Sequence, residues 1–279
     1  MENDKSPGVS FADAYRFFVD QGGDPAKEIY DKWEARADLR EAGVVEFVKT
    51  FTHKRLFSIP RHEFDDVVKN SEHPLKRLSP KNERDLTAIK LVENANAPWS
   101  FMQLFHGFVE REGLPTWQKF RTWLMHEGAS YLWAPYKEQL GFREADETKK
   151  QMIRDGTAWR LGNAYYSALR EIDIIISLRD AGLLVNYHLL ADALFAVDFW
   201  RGNRLVSVYI ANAQFKSVEG SGRKTRPENL YKPPQFACAD FEVKKQQVHG
   251  HYWPVAATTV DKIAIFLVEN PKQPAVGAR

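Results

Sequence analysis

The stretch AYYSALREIDIIISLRDAG, residues 164–182, constrains the fold more than any other part of the 279-residue chain. It predicts one long helix, and Gly182 is the glycine that stops it. The pattern then changes. NYHLLADALFAVDFW (186–200) and LVSVYIANAQFKS (205–217) are rich in aliphatic and aromatic residues and predict strands, with RGNR at the tip between them. GSGRKTRPENLYKPPQ (220–235) is a basic loop punctuated by glycine and proline, and VDKIAIFLVEN (260–270) predicts one more strand. Helix, strand, strand, loop, strand is the order of an α/β core.

The first half reads differently. SFADAYRFFVDQ opens with Ser10 in the N-cap position, and GVVEFVKTF and WSFMQLFHGFVERE space their apolar residues as helices do. KNSEHPLKRLSPKNERD (69–85) is polar and broken by proline, hence a loop. These patterns predict a mainly helical domain over 1–155 and an α/β domain over 156–279.

Hydrophobic residues make up 44% of the chain and aromatic ones 13%, enough to fill a core and to exclude wholesale disorder. A net charge of +2 neither demands nor excludes nucleic acid. Cys238 is the single cysteine, which excludes an intramolecular disulfide and a cysteine-rich zinc site and fits a reducing compartment. The opening MENDKSPGVS is too polar for a signal peptide, and no apolar run approaches the roughly 20 residues of a membrane helix. The expectation is a cytoplasmic protein that does not meet a membrane.

The strand-like pair carries the chemistry. With Gly202, Asn203 and Arg204 as a three-residue hairpin loop, Asp192 falls opposite Gln214, and alternation puts Asp192, Gln214 and Lys216 on one face. A two-residue loop would instead set Asp192 opposite Ala213. Asp198 shares the parity of Asp192 but lies opposite Val208, six residues and roughly 20 Å from Gln214 along a strand. A buried carboxylate without a partner is costly, and a divalent cation offsets that cost. Magnesium favours oxygen ligands, so Asp192 and Gln214 become the candidate metal ligands, and Lys216 is placed to position a nucleophile and stabilise charge on a phosphate.

An aspartate, a hairpin and then Gln-x-Lys resembles the PD-(D/E)XK nuclease superfamily, in the variant with glutamine for the second acid found in the nicking subunit of some cut-and-paste transposons and in some restriction enzymes. That family also places a glutamate on the helix before the first core strand. Glu171, ahead of Leu178 and Gly182 in REIDIIISLRDAG, fits this pattern. The resemblance covers about residues 160–270. It implies a mixed-sheet, restriction-endonuclease-like core, the catalytic set Glu171, Asp192, Gln214 and Lys216, and magnesium or manganese as cofactor. It implies metal-dependent hydrolysis of DNA phosphodiesters, in a mobile element or a defence system. The chain departs from the pattern in two places: no proline precedes Asp192, and position 214 is not an acid. A non-catalytic, DNA-binding or assembly protein of the same fold is the alternative reading.

Two further segments carry residue types that touch nucleic acid. In VEREGLPTWQKFRTWLMHEG (109–128), Gly113 and Pro115 make a turn between two helices. Phe120 and Leu124 point inward, while Gln118, Lys119, Arg121 and Thr122 face out, as in a helix-turn-helix or in two plain core helices. Arg223, Lys224 and Arg226 concentrate charge in the glycine-rich loop, where they would clamp a phosphate backbone or simply be solvated. The partners expected are therefore DNA and, through the N-terminal region, DNA or another protein.

Overall fold

The computed structural model describes residues 8–72, 78, 81–93, 95–210, 227–233, 235–243, 252 and 254–268. Helices dominate them. α1 (Phe11–Tyr15) runs into a wider turn over Arg16–Asp20. Then come α2 (Gly23–Glu34), α3 (Ala37–Glu41), α4 (Val44–Thr50), a single tight turn at Leu56–Ser58 and α5 (Arg61–Asn70). They are followed by α6 (Glu83–Glu93), α7 (Phe101–Glu112), α8 (Trp117–Met125) and α9 (Trp133–Gln139). The long α10 (Glu147–Asp180) leads to α11 (Leu189–Phe195), β1 (Phe199–Arg201), β2 (Arg204–Ile210), α12 (Pro227–Leu230), β3 (Ala237–Val243) and α13 (Ala257–Val268).

Local sequence explains the helix starts. Ser10, Ser100, Thr116 and Asp146 each accept a main-chain N–H of the first turn that follows, and Ser100 and Gln103 form a reciprocal capping box. α10 is 34 residues, roughly 50 Å long. It ends where Gly182 takes φ +78°. α6 lies along its first half. Gly156 of α10 permits that approach: a Cβ there would sit 2.3 Å from the Ala88 carbonyl oxygen. Arg160 of α10 donates to the carbonyls of Val92 and Ala95 (2.6 and 2.5 Å), closing the C-terminus of α6.

The sheet is small and mixed. β1 and β2 are antiparallel with Phe199 opposite Val206, and β2 runs parallel to β3 with Val206 opposite Ala239. Two apolar clusters fill the interior. One joins Phe105, Phe120, Ile172 and Ile176 to Phe199, Val206 and Leu267. The other joins Phe18, Trp33 and Val48 to Leu190, Phe195 and Leu205. Residues 155 and 156, where the sequence pattern changes, both lie inside α10, and each cluster draws on chain from either side of them.

Several sequence expectations hold and several are corrected. The α/β class, the Ser10 cap, the helices at 44–50 and 101–112 and the long helix before Gly182 stand as read. The strand expected over 186–200 does not form. Leu189–Phe195 is helical because Leu189, Leu190, Leu194 and Phe195 all find burial in the N-terminal cluster when wound, and Ala196 ends the helix at φ +53°. Only the flanks of that segment are extended, where Asn186 and Trp200 exchange main-chain hydrogen bonds of 2.7 and 3.0 Å. The hairpin turn has two residues, not three: Arg201 pairs with Arg204, and Gly202 supplies a φ of +55°. Asn203 is tied to the start of β3, its carbonyl accepting from the Ala237 amide at 3.0 Å. The final strand expected over 260–270 is α13, in which Ile263 and Leu267, one turn apart, are the buried pair. The strand that completes the sheet is β3, ACADFEV, which the sequence pattern did not single out.

Candidate functional site

The cross-strand arrangement that put Asp192 opposite Gln214 is replaced by a different gathering of acids. Asp192 stands in the first turn of α11 and is buried. Glu171 projects from α10, with Oε2 shut off from solvent. Asp198 heads β1: its amide donates to the Val206 carbonyl (2.9 Å), and its Oδ2 accepts from the Val208 amide (2.5 Å). In the observed register Asp198 faces Ser207 rather than Val208, and it meets Val208 through its side chain. All three carboxylates bear electrostatically on one fully buried group, the Tyr187 hydroxyl. Burial pushes that phenol well above its ordinary range, and Asp192, Glu171 and Asp198 push it further, in that order. Among the described residues, no three His, Cys, Asp or Glu side chains are grouped so as to hold a metal ion.

A set of aromatic and imidazole rings surrounds Tyr187. Its hydroxyl lies 2.9 Å from His106 Nε2 on α7. His53, beyond α4, sets its ring centroid 4.7 Å from Tyr187, 5.3 Å from His106 and 5.6 Å from His188. Burial lowers the pKa of His106 to about 4, with Asp192 opposing the shift. Burial likewise lowers His188 to about 4, with the Phe51 carbonyl opposing. His53 is held well below its ordinary value by burial first, then by His106 and His188. These rings are therefore neutral at pH 7, and the interior around Tyr187 is acidic and aromatic.

Two of the imidazoles hold α11 in place. His188 is the N-cap residue, and its Nδ1 accepts from the Leu190 amide at 3.0 Å. His53 Nε2 accepts from the Leu189 amide at 3.2 Å. The sequence reading did not single out His53, His106, Tyr187 or His188. The signal for one of them was available: a histidine set directly before LLADALF, whose apolar residues suit a helix as well as a strand.

Behind Glu171, Arg170 is buried and donates to Ser167 Oγ at 2.9 Å. Burial lowers its pKa to about 10, with Tyr252 and then Glu171 opposing. One turn on, Asp173 accepts from Arg61 Nη1 at 2.5 Å and from the Tyr252 hydroxyl at 2.8 Å. An open cleft of about 360 Å³ lies between Lys54, Arg55, Ser58, Ile59, Glu63 and Glu110. Its two acids are engaged with main chain: Glu110 accepts from the Arg55 amide and Glu63 from the Leu114 amide.

Of the other residues expected at the site, Gln214, Lys216, Arg223, Lys224 and Arg226 lie outside the described residues. Lys119 and Arg121 are exposed on α8, while Phe120 and Leu124 are buried beneath them. α7 and α8 do form two helices about a Gly113–Pro115 turn. Gln118, expected to face outward, is instead bound to the preceding segment, donating to the Asn70 carbonyl (2.8 Å) and accepting from the Glu72 amide (2.9 Å). That contact covers the N-terminal end of α8, the end with which a recognition helix meets base edges. No protein-family model, no curated protein and no solved structure matches the chain.

Proposed function

We propose that the chain is a metal-dependent DNA endonuclease of the PD-(D/E)XK type, with Glu171 and Asp198 as its acidic groups and Gln214 and Lys216 completing the centre. The observation that carries this reading is that acids from α10, α11 and the head of β1 all act on the buried Tyr187 hydroxyl. Asp198 suits the part better than Asp192. It is half-buried rather than buried, and it stands at the head of the hairpin; Gln214 and Lys216 reach it only if the chain beyond Ile210 turns back, since an extended strand would carry Gln214 roughly 20 Å past Val208. Asp192, on α11, acts on His106 and Tyr187 instead.

The donors fit magnesium or manganese: carboxylates, an amide oxygen and main-chain carbonyls are all hard oxygen ligands. When bound, such an ion supplies Lewis-acid stabilisation of phosphate charge. The chain's own residues do the rest in this account. Asp198 and Glu171 fix the position of positive charge, and Lys216 orients the attacking water and meets the developing negative charge. A neutral amide at position 214 favours a second reading, a DNA-binding protein of the same fold that does not cleave.

Cleavage of supercoiled plasmid with magnesium tests the proposal. The parent and Asp192→Asn should nick or cut, and Asp198→Ala should not. A parent that binds DNA with a salt-dependent affinity yet never cuts supports the second reading. A parent that neither cuts nor binds removes both.

A further inference from the structure

The first two amides of α11 both end on imidazole nitrogens. Leu189 N–H meets His53 Nε2, and Leu190 N–H meets His188 Nδ1. A nitrogen that accepts from a main-chain N–H carries no proton, so each ring's tautomer is fixed. Neutral His53 bears its proton on Nδ1, and neutral His188 bears its proton on Nε2. Those two nitrogens are buried, and among the described residues neither meets an acceptor within ordinary hydrogen-bond geometry. The Phe51 carbonyl comes near enough to His188 to favour its charged form.

We infer that His53 and His188 form an acid-released latch: as neutral acceptors they pin the start of α11, and protonation of either ring turns its acceptor into a donor and frees the helix.

The surroundings favour release over accommodation. His53 is acted on by His106 and His188 and faces the Tyr187 and Phe51 rings. His188 faces His53, Phe11 and the Phe51 carbonyl. The nearby acids act elsewhere, Asp192 on His106 and Tyr187, and Glu171 and Asp198 on Tyr187. A cation on His53 or His188 therefore has no carboxylate among the groups that act on it, and it would face the positive end of a helix. A protonated ring would also point an N–H at the N–H it now accepts from. Once released, both rings regain an ordinary pKa near 6.5, so acid favours the released form. Release would loosen Leu190 and Phe195 from the N-terminal cluster, and with them the turn that follows Tyr187.

The test uses the full chain and amide exchange of Leu189 and Leu190, corrected for intrinsic pH dependence. In the parent, both amides should exchange at least about tenfold faster near pH 4.5 than near pH 7, and accelerate by a larger factor than amides in α10. His53→Gln places an amide oxygen where Nε2 was, and His188→Asn places one where Nδ1 was; neither side chain titrates. The double variant should keep both amides protected down to about pH 4.5. Exchange that accelerates in the double variant at the same pH as in the parent overturns the inference. So does a parent whose amides stay protected in acid. Should the double variant not fold, imidazole nitrogen shifts of the parent at neutral pH decide. The latch demands the Nδ1–H tautomer for His53 and the Nε2–H tautomer for His188, and either opposite tautomer refutes it.

Discussion

The hydroxyl of Tyr187 and Nε2 of His106 lie 2.9 Å apart in the buried interior, and among the described residues this is the only hydrogen bond the His106 ring makes. Tyr187→Phe keeps the ring and removes that bond, leaving a buried imidazole nitrogen unsatisfied. The variant should fold and lose about 1–3 kcal/mol of unfolding free energy, read by urea denaturation at neutral pH. No change in midpoint would show that the contact contributes nothing.

Acid should weaken the fold in a defined window. The folded-state pKa values of His106 and His188 fall to about 4, and that of His53 falls well below 6.5. For a depressed histidine, the unfolded chain takes up the proton first. Stability is thus fully present above about pH 6.5 and declines as pH falls toward the folded-state values. Each buried histidine contributes a slope of about 1.4 kcal/mol per pH unit inside that window. Denaturation at pH 7.5, 6, 5 and 4.5 reads the slope. A free energy that is flat from about 6.5 to 4.5 would mean that the rings are not buried as neutral species.

Gly156 sets the distance between α6 and α10. A methyl group there would meet the Ala88 carbonyl oxygen at 2.3 Å and Val92 Cγ1 at 3.1 Å. Both neighbours belong to a helix, so neither can swing aside. Gly156→Ala should lower stability by about 1–3 kcal/mol despite its better helix propensity. A stabilised variant would show that the two helices part without loss.

The basic loop is a prediction about binding rather than folding. If DNA is the ligand, neutralising Arg223, Lys224 and Arg226 together should weaken binding and flatten the salt dependence by about one unit of logarithmic slope per lost phosphate contact. The melting temperature should barely move if the three charges are solvated as the sequence predicts, since such charges contribute little to stability. An unchanged slope would return these residues to solvent.

How far the sequence could be read depended on what decided each element. The long helix before Gly182 was legible because its stop residue is local and its period continues for many turns. Ser10 and the Phe120–Leu124 pair were legible for the same reason. The segment 186–200 was not. NYHLLADALFAVDFW is apolar at nearly every position, and a run without periodicity is as much a buried helix as a buried strand. Phe18 and Trp33, far away in the chain, belong to the cluster that receives the wound form. α13 misled in the same way: with Ile263, Leu267 and Phe266 it offers aliphatic density but only a narrow buried face. β3 was overlooked because ACADFEV alternates weakly and owes its place to β2. At the candidate site, Glu171, Asp192 and Asp198 were found from residue type and order. The rings around Tyr187 were not, because His53 and His106 come from distant stretches and only packing brings them to Tyr187 and His188.

The central claim is that Asp198, not Asp192, carries the metal. Calorimetric titration of magnesium and of manganese into the parent, Asp198→Asn and Asp192→Asn tests it without depending on cleavage. The parent should bind, Asp192→Asn should bind within about threefold of it, and Asp198→Asn should lose at least about tenfold, or roughly 1.4 kcal/mol. Loss at Asp192 with Asp198 indifferent would reverse the assignment, and a parent that binds neither ion would contradict the metal-dependent account altogether.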